Sequence, residues 1–131
     1  MAQKSLTRLG IRYVNKIDLG PEAVELDNYF NIAVDVPREH GFTLGSFFIR
    51  VESQYAGRPI RMVRSFASVP DENYVVALDI DVIQEEVGVK AFSPQLMDMI
   101  DALRTIEREV FEASITEELR RTFDDASEQA L

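Results

Sequence analysis

A chain of 131 residues and 14.9 kDa has room for one ordinary domain, and its 46% hydrophobic and 28% charged residues exclude a disordered polypeptide. Twenty-three acidic against fourteen basic side chains leave a net charge of −9, which repels phosphate and argues against nucleic acid or an anionic membrane as partner. The lack of cysteine excludes disulfides, thiolate catalysis and iron–sulfur clusters, and a single histidine, His40, excludes nearly every multi-histidine metal site.

No segment approaches the ~20 apolar residues of a membrane span. The opening MAQKSLTRLG has neither an apolar core nor a small-residue cleavage site, so no secretory signal is expected there. The expected location is the cytoplasm.

Taken in order, Leu6 to Asp18 alternates, with Leu9, Ile11, Tyr13 and Ile17 on one parity and Arg8, Arg12, Lys16 and Asp18 on the other. Period two predicts a half-buried strand. Leu19-Gly20-Pro21 ends it, and a short helix is expected from Pro21 to Phe30. Asn31 to Gly41 reads as a loop, with a short strand at Ile32–Val36 stopped by Pro37. The stretch from Phe42 to Ser53 is rich in β-formers and predicts a strand. Ile60–Val69 and Tyr74–Gln84 predict two more, separated by turns at Tyr55–Pro59 and Pro70–Asn73. Ser93-Pro94 is a helix start, after which Leu96, Met99, Ile100, Leu103, Ile106, Val110 and Phe111 form a stripe at helical spacing. Ser114 and Glu117 fit a second capping box, which predicts a bend before Ile115, Leu119 and Phe123, and a fraying tail is expected from Asp124. The expected fold is α+β over residues 1–131. An antiparallel four-stranded sheet, in the order strand-helix-strand-strand-strand-helix, has the long C-terminal helix packed on one face.

The other sheet face is the informative one. In Tyr74–Gln84, Val76, Leu78, Ile80 and Val82 point one way, while Ala77, Asp79 and Asp81 point the other. Residues 1–20 carry +3 and residues 71–92 carry −5. If the two strands are neighbours, Arg12 reaches Asp79 or Asp81 across the sheet. Mixed with Phe42, Leu44, Phe48, Val63 and Ala77, these charges make a face that resembles an interface without its partner. The plainer reading is a solvated face with paired surface charges.

Other motifs are weaker. Asp79 and Asp81 stand about 7 Å apart along one strand side, a spacing that suits a cation, but only Glu52 or Glu85 offers a further ligand. His40 falls in a loop with no assignable nucleophile. Arg58, Arg61 and Arg64, with Tyr55 and Phe66 nearby, form a basic cluster, but Arg61 and Arg64 have opposite parities, which weakens a nucleic-acid reading. There is no phosphate-binding glycine loop, G-x-S-x-G or H-E-x-x-H.

Three segments, Arg8 to Asp18, Leu78 to Asp81, and Phe111 to Thr116, together resemble the C-terminal half of a sporadically distributed bacterial protein family of uncharacterised function. The resemblance implies a preceding region absent from this sequence, so that the chain would be part of a longer protein. It implies no activity, cofactor or catalytic residue.

The residues therefore point to a non-catalytic interaction or structural domain. Its mixed sheet face is expected to pack on a protein partner, on a second copy as a dimer or other homo-oligomer, or on the missing preceding region. Arg12, Asn15, Asp79, Asp81 and Phe48 are the expected interface or structural polar positions. The alternative is a small-ligand pocket between sheet and long helix, lined by Phe47, Phe66, Met99 and Leu103. No catalytic residue, metal or cofactor is expected, nor a nucleic-acid or membrane partner.

Overall fold

The computed structural model describes residues 5–22 and 24–129. Alternation becomes four strands, β1 (Ser5–Asp18), β2 (Phe48–Gln54), β3 (Ile60–Val69) and β4 (Val75–Lys90), in one antiparallel sheet of order β1-β4-β3-β2. Short turns join β2 to β3 and β3 to β4, as expected of a meander, while β1 adds to the far edge of β4. At that end the Asp18 carboxylate accepts from the Gly20 N–H at 2.8 Å and from the Asn73 side-chain amide at 3.0 Å, tying β1 to the β3–β4 turn. These hydrogen bonds hold the Asp18 carboxyl below its ordinary pKa, the Asn73 bond contributing most.

One face of the sheet is covered. Ser93 caps α2 (Pro94–Ser114) by accepting from the Leu96 N–H at 3.2 Å, with Pro94 at the first helical position. Its apolar stripe lies against β4 and β1, and Leu103 at its middle is fully buried, with Ile106, Val110 and Phe111 packed alongside. The long segment from β1 to β2 crosses the same face and covers β3. Phe30 packs edge-on against Phe66 with ring centroids 5.6 Å apart. Core residues from β4 (Val76, Leu78, Ile80, Val82), the crossing segment (Leu26, Phe30), the helices (Leu103, Leu119) and the junction between them (Ile115) form one cluster.

The predicted elements differ in several places. The helix expected from Pro21 to Phe30 is one turn, α1 (Leu26–Tyr29), because Glu25 before it stays extended and makes no side-chain cap, and a single 3-10 turn at Arg38–His40 follows further along the crossing segment. Ile32–Val36 forms no strand, but Ile32 and Val34 still pack on the core. β2 begins at Phe48, not Phe42: the Phe47 N–H donates to the Ser68 hydroxyl at 2.9 Å instead of a backbone carbonyl, and Leu44 packs on the core from the loop before it. β4 runs on to Lys90 through a bulge. Leu6 pairs with Val89 and Arg8 with Glu85, so four steps of β4 match two of β1, with Glu86 (φ 53°) and Gly88 (φ 63°) in left-handed conformation and Val87 buried between them.

The bend after α2 is present, but its cap is Thr116, not Ser114. The Thr116 hydroxyl accepts from the Leu119 N–H at 3.3 Å to start α3 (Glu117–Gln129) and donates to the Asn28 carbonyl at 2.6 Å. Ser114 is engaged elsewhere, donating to the Val110 carbonyl at 2.6 Å and accepting from Arg64 at 3.0 Å. Phe30 and Ile115 form a bridge across this junction, and the Asn31 side chain donates to the Ala113 and Ile115 carbonyls at 2.7 and 3.1 Å. The tail expected to fray from Asp124 is helical to Gln129; its last two residues lie outside the described ones.

Candidate functional site

The second face of the sheet has no helical layer among the described residues. Strand parity and register place Arg8, Gly10, Arg12, Val14 and Lys16 of β1 there, beside Ala77, Asp79, Asp81, Ile83 and Glu85 of β4. Next come Arg61, Val63, Ser65 and Ala67 of β3, and then Phe48, Arg50, Glu52 and Gln54 of β2. Apolar and charged groups alternate across this surface. Phe48 is 68% exposed and Val14 53%.

The charges are organised by strand adjacency. Arg12 stands opposite Asp81 and forks onto Asp79, its Nε donating to Oδ1 at 3.0 Å and its Nη2 to Oδ2 at 2.5 Å. The Asp79 hydrogen bond, then its charge, raise the Arg12 pKa above its ordinary value, and the Asp81 charge adds to this. Arg61 donates to Glu52 at 3.0 Å and approaches Glu85 at 3.5 Å, and Arg50 lies 3.8 Å from Glu52. Ile83 is buried on this otherwise open face; it stands beside Arg61 in register, and Arg8 and Arg61 line the same groove with it. That groove measures about 360 Å³ and brings Arg8, Arg12, Arg50 and Arg61 around Asp79 and Asp81. A double-mutant cycle of Arg12→Ala with Asp79→Ala is expected to show coupling above the additivity error of distant pairs. Additive losses would mean that the fork does not persist in solution.

Four of the five polar or interface positions, Arg12, Asp79, Asp81 and Phe48, lie on this face. Asn15 does not. It stands opposite Leu78 on the covered side, two residues from buried Ile17. Phe42 and Leu44 precede β2 and are not part of its ladder. The positions named for a ligand pocket are dispersed: Phe66 and Leu103 are fully buried in the core, Met99 is partly buried on α2, and Phe47 lines an apolar groove of about 410 Å³ with Leu44, Val69 and Tyr74. None of Phe66, Met99 and Leu103 lines either groove. The Arg58–Arg61–Arg64 cluster divides as parity requires. Arg58 lies over the Tyr55 ring at 5.4 Å, Arg61 sits on the open face, and Arg64 turns under the sheet, over the Phe66 ring at 5.3 Å and bonded to Ser114.

The grouping of Arg8, Arg50 and Arg61 was missed by reading strands one at a time. Its signal was Arg50 and Glu52 sharing parity with Phe48, once β2 is placed beside β3. Among the described residues no three histidine, aspartate or glutamate side chains converge to hold a metal ion, and no helix is long and apolar enough to cross a membrane. No protein-family model, curated protein or solved structure matches this chain.

Proposed function

We propose that the chain is a non-catalytic interaction domain whose open sheet face associates with a protein surface, in the simplest case a second copy of itself. The observation that carries this reading is Phe48, two-thirds exposed on a strand surface where Arg12 is paired with Asp79 and Arg61 with Glu52. Exposed apolar area favours association by roughly 25 cal/mol per Å² before the costs of binding are subtracted. Paired charges on the same surface set orientation at little cost in repulsion. The net charge of −9 opposes approach at long range and is screened within about 8 Å at physiological salt.

Sedimentation at tens of micromolar is expected to show a species near twice the chain mass, and Phe48→Lys is expected to shift it toward monomer. A clean monomer, unchanged by Phe48→Lys, would leave the paired charges as an ordinary solvated face.

A further inference from the structure

β2 is the outer strand of the sheet and pairs with β3 alone. The Ser68 N–H donates to the Phe47 carbonyl at 3.0 Å and the Tyr55 N–H to the Ile60 carbonyl at 2.8 Å. Because antiparallel ladders bond at alternate residues, Phe47, Ile49, Val51, Ser53 and Tyr55 direct their backbone inward to β3. The N–H and C=O groups of Phe48, Arg50, Glu52 and Gln54 therefore point away from the sheet, and among the described residues no backbone group pairs with them. This strand has no proline, lysine or bulge to block pairing, and its two charges, Arg50 and Glu52, are of opposite sign.

We propose that β2 pairs antiparallel with β2 of a second copy, about a two-fold axis at Val51. This register sets Arg50 opposite Glu52 of the partner subunit and, by symmetry, Glu52 opposite Arg50 of the partner subunit. Both pairs join residues with outward backbone groups, so they fall at hydrogen-bonded positions of the new ladder, which closes with about eight backbone bonds. Registers centred on Arg50 or on Glu52 bring like charges face to face. On the opposite edge, β1, opposite charges directly flank a two-fold axis only about Ile17, where Lys16 meets Asp18 at the end of the strand and little ladder remains to close. Charge complementarity thus selects one edge, one register and a second copy of this chain as its occupant. The pairing joins two open faces into one surface of eight strands and sets Phe48 beside Gln54 of the partner subunit.

The inference rests on the self-association proposed above and places it at the β2 edge, where Gln54 of the partner subunit covers the flank of Phe48 while the rest of the face stays open. Amide hydrogen exchange by NMR, with sedimentation on the same samples, tests it. At tens of micromolar the Arg50 and Glu52 amides are expected to exchange roughly tenfold or more slowly than in dilute protein. Arg50→Glu and Glu52→Arg are each expected to weaken association roughly tenfold, since symmetry applies every change twice, and the double swap restores it. Arg50→Pro removes an outward N–H without touching the β3 ladder and is expected to give monomer with β3 and β4 amides still protected. A dimer whose β2 amides exchange fast and which ignores the charge swaps overturns the edge pairing while leaving self-association standing. A monomer at these concentrations overturns both, and slow β2 amides that need a strand from another protein overturn the second copy as occupant.

Discussion

Leu103→Ala is expected to lower the free energy of unfolding by about 2–5 kcal/mol, read from denaturant curves. Leu103 has no exposed surface and sits midway along the α2 stripe, so truncation removes buried methyl groups and leaves a void beneath β4. Neighbours on both sides are held by the sheet ladder and the helix backbone, which limits collapse into the void. A loss below about 1 kcal/mol would mean that α2 is not seated on the sheet as described.

Phe30→Ala is expected to cost about 3–5 kcal/mol. The ring is fully buried and meets Phe66 edge-on, an arrangement with a favourable term beyond its buried area. Its backbone also bridges Ile115 at the α2–α3 junction, so the residue joins the crossing segment to both the sheet and the helices. Phe42→Ala provides the control: that ring is 61% exposed, and its loss is expected to stay within about 0.5 kcal/mol. Equal effects at Phe30 and Phe42 would contradict the placement of the crossing segment over β3.

The sequence reading succeeds where local chemistry and tertiary placement agree. Ile60–Val69 lies between Pro59 and Pro70, and the strand has those bounds. Ser93-Pro94 announces α2. Val76, Leu78, Ile80 and Val82 separate cleanly from Asp79 and Asp81, and the structure buries the first set and opens the second to the far face. It fails where the same local pattern serves another purpose. Phe42 to Phe47 alternates like a strand, yet Leu44 and Phe47 pack on the core from a loop. β4 outlasts its alternation because Glu86 and Gly88 form a bulge that lengthens the strand. Arg64 breaks the apolar parity of β3, and the Ser114 that receives it is fifty residues away. The open-face groove needs the strand order, which no single strand encodes, and Asn15, expected as a structural or interface polar position with Arg12, has the opposite parity and lies on the covered side.

Phe48, at the β2 edge of the open face, is expected to be covered when copies of the chain meet. The most direct measurement is the exposure of the Phe48 ring to a soluble paramagnetic probe, followed by NMR as concentration rises from sub-micromolar to tens of micromolar. Phe92, 97% exposed at the turn into α2, is the internal reference. Relaxation of the Phe48 ring signals by the probe is expected to fall with concentration while that of Phe92 stays constant. Parallel behaviour of the two rings across the whole range would contradict it.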